Sequence, residues 1–269
     1  MRSFQKRYAV MVGRPLSVLV INWRRPEKTR LVIERLLALG LDDISVWRDG
    51  PRATNSEESA ACDRVRDVVH ELLGERPDSQ LFSEVNLGLR ESVLSAVDWF
   101  LSAKSEGLVL EDDDLPTKAA IDFTAKSLTR FRGNSVISQV NCTSHLLPQQ
   151  QVRQEGYFSH FFHTWGFGVW SDSWAGFRDF MMEKKKVTSD EIHSAMPGFG
   201  RSFYRHWAGR SCAELAGETD TFASSWNVFN FLRGSLAVTP SISLVQNIGH
   251  GPEAANHNRI PLIAGDVPQ

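Results

Sequence analysis

Residues 107–116 read GLVLEDDDLP, and the rest of the chain is organised around them. Leu108, Val109 and Leu110 have the length and composition of a buried strand, and the run ends on four consecutive acids, Glu111, Asp112, Asp113 and Asp114. Adjacent carboxylates repel one another, and Asp is disfavoured in strands. Such a cluster is tolerated where a strand ends at a crevice and a cation neutralises it. It reads equally as a solvated acidic turn, or as a cap for the helix that begins near Thr117. In open α/β sheets, ligands sit in the crevice outside the carboxyl ends of the strands.

Working outward, the flanking sequence alternates strands and helices. Leu16 to Asn22 (LSVLVIN) is a nearly uninterrupted apolar run, as expected of a strand covered on both faces. Pro26 follows at the first turn of a helix over about 27–39, with Leu31, Ile33, Leu36 and Leu37 on its apolar stripe and Gly40 at its end. Ile44 to Trp47 forms a second strand, closed by Asp49-Gly50-Pro51. This strand–helix–strand spacing is that of a parallel βαβ unit. The spacing then predicts a helix over 56–73, a short strand over 80–84, a turn at Asn86-Leu87-Gly88, and a helix over 91–102. The acidic strand follows, then a helix to about residue 131 and a strand over 135–140. The alternation argues a doubly wound α/β sheet. Residues 158–174 (FSHFFHTWGFGVWSDSW) are aromatic, Gly-broken and without clean period. Beyond them, 202–215 and 223–233 read as helices, 236–240 and 243–246 as short extended pieces, and the segment from Gly251 onward as a polar, turn-rich end.

Composition narrows the class. The chain has 269 residues, 42% hydrophobic and 23% charged, with a formal net charge of −2, so a nucleic-acid footprint is not expected. Cys62, Cys142 and Cys212 are widely spaced and form no CxxC pair, which fits a reducing cytoplasm better than a disulfide framework. No apolar run reaches the length of a membrane span or a signal core. A peripheral contact with the inner face of a membrane through Arg2, Lys6 and Arg7 is left open. Neither GxxxxGK[ST] nor a strand-borne GxGxxG occurs, which argues against P-loop and dinucleotide-binding enzymes. The acids then point to Mg²⁺ or Mn²⁺, ions held by one or two carboxylates together with substrate phosphates.

An ordered set of motifs carries a resemblance. VLVINWRRPEKT, the Asn86-Leu87-Gly88 turn followed by Arg90, the LEDD of the acidic strand, His163 to Trp170 (HTWGFGVW), Asp220 to Trp226, and Pro240 to Gly249 (PSISLVQNIG) follow one another in order. Together they resemble the GT-A fold glycosyltransferases, in particular the bacterial polysaccharide type related to family 2 and to the N-acetylglucosaminyltransferase I group. The resemblance spans about residues 16–257. It implies a Rossmann-like GT-A fold: a mixed, mostly parallel sheet flanked by helices in a single domain over 1–269. It divides the chain into a nucleotide-sugar-binding half at 14–140, an acceptor-binding and catalytic half at 141–257, and a tail at 258–269.

The same resemblance implies the site. The last acid of the motif would hold the metal, at Asp113 or, in a shifted register, at Asp114, with His257 as a further contact to metal or diphosphate. Glu111 and Asp112 would meet the ribose. Asp49 would lie near the nucleobase, although it reads equally as a turn former before Gly50. Asn22, Arg24, Asn86 and Arg90 would complete the donor side, and Arg24, Arg25 and Arg90 lie near strand ends where a guanidinium can pair with diphosphate oxygens. His163, Trp165 and Gly166 belong to the acceptor side. Trp165, Trp170 and Trp174 read either as a sugar-stacking floor or as core. Asp220 is the candidate general base, with Glu218 as the neighbouring alternative; Asp220 reads equally as a helix cap.

The implied activity is metal-dependent, inverting transfer of a sugar from a nucleotide-diphosphate sugar to a glycan or lipid-linked acceptor hydroxyl, in surface polysaccharide or lipopolysaccharide synthesis. A non-catalytic sugar- or nucleotide-binding module on the same fold, and a retaining transferase, are the rival readings. A metal-dependent phosphohydrolase ranks below them, because the first strand ends without an acid. The sequence departs from the resemblance at Phe167, Gly168 and Val169, at Phe222 and at Ser225, where the family carries other residues.

Overall fold

The computed structural model describes residues 16–145 and 155–249. Its centre is β1 (Val18–Asn22), flanked by parallel partners β2 (Ile44–Arg48) and β4 (Glu106–Glu111). β3 (Gln80–Phe82) extends the parallel run beyond β2. On the other side, β8 (Phe167–Trp170) enters antiparallel between β4 and β6 (Ile137–Asn141). β9 (Leu236–Pro240) runs parallel to β6, and β7 (Gly156–Ser159) closes the edge antiparallel to β9. The eight-stranded order is β3-β2-β1-β4-β8-β6-β9-β7. The described residues thus form a single α/β domain on a mixed, mostly parallel sheet. The doubly wound expectation holds for the first half, and the antiparallel β8 is what makes the sheet mixed. β5 (Asp114–Pro116) and β10 (Val245–Asn247) form a separate two-stranded ribbon.

Strand parity divides the core. Val18, Val20, Ile44, Val46, Leu108 and Leu110 face α1 (Pro26–Ala38), α2 (Ser56–Leu73) and α4 (Lys118–Phe131). Leu19, Ile21, Trp47 and Val109 face α3 (Leu89–Ala103), α5 (Ser171–Glu183) and α8 (Ala223–Arg233). β1 and the Gly107–Leu110 stretch of β4 are buried on both faces, which is why these segments read as apolar runs. Each fully buried Leu or Val contributes roughly 1.5–3 kcal/mol of transfer free energy. A third cluster joins α6 (Ser189–Ala195) and α7 (Arg201–Leu215) to α8 through Ile192, Tyr204, Val228 and Phe231.

Helix starts follow capping chemistry. Asn55 accepts the N–H of Glu58 at the start of α2, Thr117 accepts that of Ala120 at the start of α4, and Pro26 opens α1. Two helices escape the periodicity of the sequence. α5 is masked by the aromatic content of its segment, since Trp174 and Phe177 are core residues, and α6 is only seven residues long. Trp170 and Trp174 are buried, so two of the three clustered tryptophans are packing residues. Among the described residues, no helix is long and apolar enough to cross a membrane. The tail at 258–269 and Arg2, Lys6 and Arg7 lie outside the described residues.

Candidate functional site at the carboxyl ends of the central strands

β1, β2 and β4 end side by side, and most of the residues singled out from the sequence gather there. Asn22 closes β1 in register with Arg48 of β2, and Ile21 is in register with Glu111. Asn22 is 3% exposed, and neither its amide nitrogen nor its amide oxygen has a hydrogen-bond partner among the described residues. Buried polar groups are almost always paired, which makes this amide a candidate ligand contact. Nε of Arg48 and the hydroxyl of Thr29 are buried and unpartnered as well.

The four acids separate into distinct environments. Asp114 is fully buried and belongs to β5: its Oδ2 accepts the N–H of Gly166 at 3.0 Å and that of Glu111 at 3.2 Å. Its pKa stands well above the ordinary carboxylate value, first through burial and then through Glu111 and Asp113. Asp114 therefore ties the acidic turn to the aromatic segment. Gly166, with a φ of +67°, occupies the left-handed region that glycine adopts without steric cost. Burial, Asp113 and Asp112 together raise the pKa of Glu111.

Asp112 and Asp113 are held by one guanidinium. Nε of Arg25 donates to Oδ2 of Asp112 at 3.1 Å, Nη2 donates to its Oδ1, and Nη1 donates to Oδ2 of Asp113 at 2.8 Å. Burial pushes Asp112 up to about 6, against the pull of Arg25. For Arg25 the balance is reversed: burial opposes the charge, and Asp112 followed by Asp113 more than offsets it, so its pKa is raised. On the far side of Asp113, the Asn247 amide lies 3.4 Å from Oδ1, and Ile248 donates its N–H to the Asp113 carbonyl at 2.8 Å. A Cβ on Gly249 would lie 2.1 Å from Oδ2 of Asp113.

Carboxylate oxygens are the right donors for Mg²⁺ or Mn²⁺, which require near-octahedral oxygen coordination. As arranged, these acids do not fit such an ion. Both oxygens of Asp112 and Oδ2 of Asp113 are turned to Arg25, and Asp114 is buried with Oδ2 on two backbone N–H groups and Oδ1 facing the Asn247 amide at 3.4 Å. Among the described residues no group of three or more His, Cys, Asp or Glu side chains is arranged to hold a metal. His257 lies outside the described residues.

The remaining candidates fall into three further groups. On the β2 side, Oδ1 of Asp49 accepts the N–H groups of Gly50 and Leu87, each at 2.9 Å, and Oδ2 accepts from the Asn86 amide at 3.0 Å. Asp49 and Asn86 thus clamp the 86–88 turn onto the end of β2. Burial raises the pKa of Asp49 against those N–H donors. Arg24 lies over the Trp23 ring at 4.3 Å and pairs with the buried Glu58 at 2.9 Å.

On the α3 side, Asp220 is exposed and caps a helix, though not its own. Its Oδ2 accepts the N–H of Leu89 and its Oδ1 that of Arg90, both at 2.8 Å, at the start of α3. Nη1 of Arg90 donates to the carbonyl of Glu214 at 2.7 Å. Glu214, which the sequence did not mark, is buried and accepts the N–H groups of Ser224 at 3.1 Å and Ser225 at 2.6 Å, capping α8. Two caps therefore cross between elements: Asp220 ties its loop to the start of α3, and Glu214 ties α7 to the start of α8. No local pattern signals either one, because each cap residue lies outside the helix it serves.

On the acceptor side, Nδ1 of His163 donates to the Thr143 carbonyl at 2.9 Å, and its ring lies 4.1 Å from that of His145. Burial, with His145 adding to it, pushes His163 down to about 4, so the ring is neutral at physiological pH. Trp165 is half-buried, 6.3 Å from the His145 ring.

No protein-family model matches this chain, and no curated protein matches it in sequence.

Proposed function

We propose that the chain is a nucleotide-sugar-dependent glycosyltransferase of GT-A type, acting on a glycan or lipid-linked acceptor at the inner face of a membrane. The observation that carries the reading is the orphaned amide of Asn22 at the carboxyl end of the central strand, beside the Arg25–Asp112–Asp113 cluster. It leaves a buried donor and a buried acceptor to be satisfied in the crevice where open α/β sheets bind ligands. The Asp49-clamped turn and the Asp114–Gly166 bond add support, because they bring the donor and acceptor segments against the same crevice.

In this reading the donor lies across the ends of β1, β2 and β4, with Asn22 bonded to it and the arginines of the 24–25 turn beside its diphosphate. The acceptor hydroxyl attacks the anomeric carbon, the bond to the diphosphate oxygen breaks, and Asp220 takes the hydroxyl proton. Each Asp220 oxygen accepts one N–H and keeps a lone pair, and the residue is exposed to an incoming acceptor. The Mn²⁺ or Mg²⁺ of the resemblance enters no step, since the acids that would bind it are bound to Arg25.

The cap made by Asp220 favours a second reading, a non-catalytic nucleotide-sugar-binding module in which that carboxylate is purely structural. A panel of nucleotide sugars with mixed glycan acceptors separates the two. The transferase releases nucleotide diphosphate, and Asp220→Asn abolishes release while donor binding persists. Binding without release in the unmodified protein supports the module, and binding of no donor refutes both.

A further inference from the structure

We infer that Arg25 is the built-in cation of this site: its guanidinium stands where a divalent metal would stand, bridging Asp112 and Asp113, and a diphosphate docks on its remaining N–H groups without a metal ion. The docking half rests on the transferase reading above; the bridging half does not.

The guanidinium is a planar fork with five N–H donors. Three of them are spent on Asp112 and Asp113, which leaves one on each terminal nitrogen. A single group thus bonds to carboxylates on one side and offers N–H donors on the other, the bridging role a divalent ion plays between carboxylates and phosphate. Its position is fixed by the backbone: Arg25 is the residue before Pro26 at the start of α1, and its carbonyl accepts the N–H of Thr29 at 2.9 Å.

The opposite side of Asp113 is closed. Asn247 and the Cα of Gly249 crowd the carboxylate, so an ion cannot approach from the β10 side without moving that segment. Chain geometry brings the arginine to these acids. Leu108 and Leu110 of β4 face α1, and the turn at Asp112 and Asp113, directly after β4 ends at Glu111, meets Arg25 at the start of that helix. Since Arg stays protonated at any accessible pH, the cationic half of the bridge does not titrate.

The test begins with Mn²⁺ alone, following free Mn²⁺ by electron paramagnetic resonance as protein is added. The unmodified protein is expected to take up no stoichiometric Mn²⁺ at sub-millimolar concentrations. Arg25→Gln is expected to gain a single site at least about tenfold tighter, about 1.4 kcal/mol in binding free energy, which Arg25→Gln combined with Asp113→Asn loses again. If the Gln variant fails to fold, Arg25→Met replaces it. Its unbranched side chain is similar in length and carries no charge, so the same gain is expected. One-site Mn²⁺ uptake by the unmodified protein that Asp113→Asn removes would overturn the inference. So would an Arg25 variant that folds and binds Mn²⁺ no better.

A second arm measures calorimetric binding of uridine, guanosine, cytidine and thymidine diphosphates in EDTA and in Mn²⁺. Equal affinity in both, lowered by Arg25→Gln, supports docking on the guanidinium; a strict metal requirement overturns it. Failure of every nucleotide under both conditions removes the transferase reading and the docking half together, while the Mn²⁺ titration still decides the bridge.

Discussion

The carboxylate of Asp114 accepts the backbone N–H of Gly166 at 3.0 Å, joining the acidic turn to the aromatic segment 52 residues later in the chain. Because Asp114 also accepts the N–H of Glu111, it braces the acidic turn from inside the fold.

Replacing Asp114 by Ala is therefore expected to leave two buried N–H groups without an acceptor and to cost about 2–6 kcal/mol, at roughly 1–3 kcal/mol per orphaned group. Asp114→Asn keeps one acceptor and is expected to lose less than half as much. Urea denaturation of the two variants checks the order. An Ala variant as stable as the parent would remove the brace from the account.

Asp220 makes a different prediction, because its cap and its proposed proton transfer separate on two scales. Asp220→Ala is expected to destabilise the fold by about 1 kcal/mol, the usual worth of an N-terminal cap. Transfer should fall by roughly 10²–10⁴-fold if the residue is the base. Denaturation and initial rates of nucleotide diphosphate release on the same preparations give both numbers. A rate loss of only a few fold would reduce Asp220 to its cap.

Asn22 is expected to trade stability for binding. Its amide is buried without partners, so Asn22→Leu, which is close in shape, removes an uncompensated desolvation cost and should raise the urea midpoint by the equivalent of about 1 kcal/mol. The same change should abolish donor binding. A destabilised Leu variant would mean that bound water already satisfies the amide.

The pH dependence of stability follows from His163. Its folded pKa is pushed down to about 4 from an ordinary 6.5, by burial first and His145 second. Between those values the unfolded chain carries a proton that the folded chain excludes. The contribution is therefore complete above pH 6.5 and is lost as pH falls towards 4. His145, depressed by burial, adds in the same direction. Urea midpoints at pH 7 and pH 4.5 should differ more in the parent than in His163→Gln, and equal differences would refute the assignment.

Much of this architecture was legible residue by residue. The helix at 56–73 and the helix at 223–233 begin and end where periodicity and caps place them, as does the strand at 236–240. Asp49 could be read either as a turn former or as a nucleobase contact, and the structure gives it the turn, with Gly50, Leu87 and Asn86 as partners. Arg24 and Arg25 look alike in sequence. One turns to Glu58 on α2 and the other to Asp112 and Asp113, a choice made by partners 34 and 87 residues away.

By itself the sequence determined the strands and helices of the first half, with the helices at 202–215 and 223–233, and that acids stand at the end of an apolar strand, because periodicity, turn residues and caps act over a few neighbouring positions. Tertiary structure alone decided that β8 enters antiparallel beside β4 and that Asp114 faces inward. It also decided that Arg25 fills the space between Asp112 and Asp113, that Asp220 caps α3 and that Glu214 of α7 caps α8. The reason is physical. A buried carboxylate takes whichever donor the fold delivers to it, and these donors arrive from elements that are distant in the chain and share no local pattern with the acids they meet.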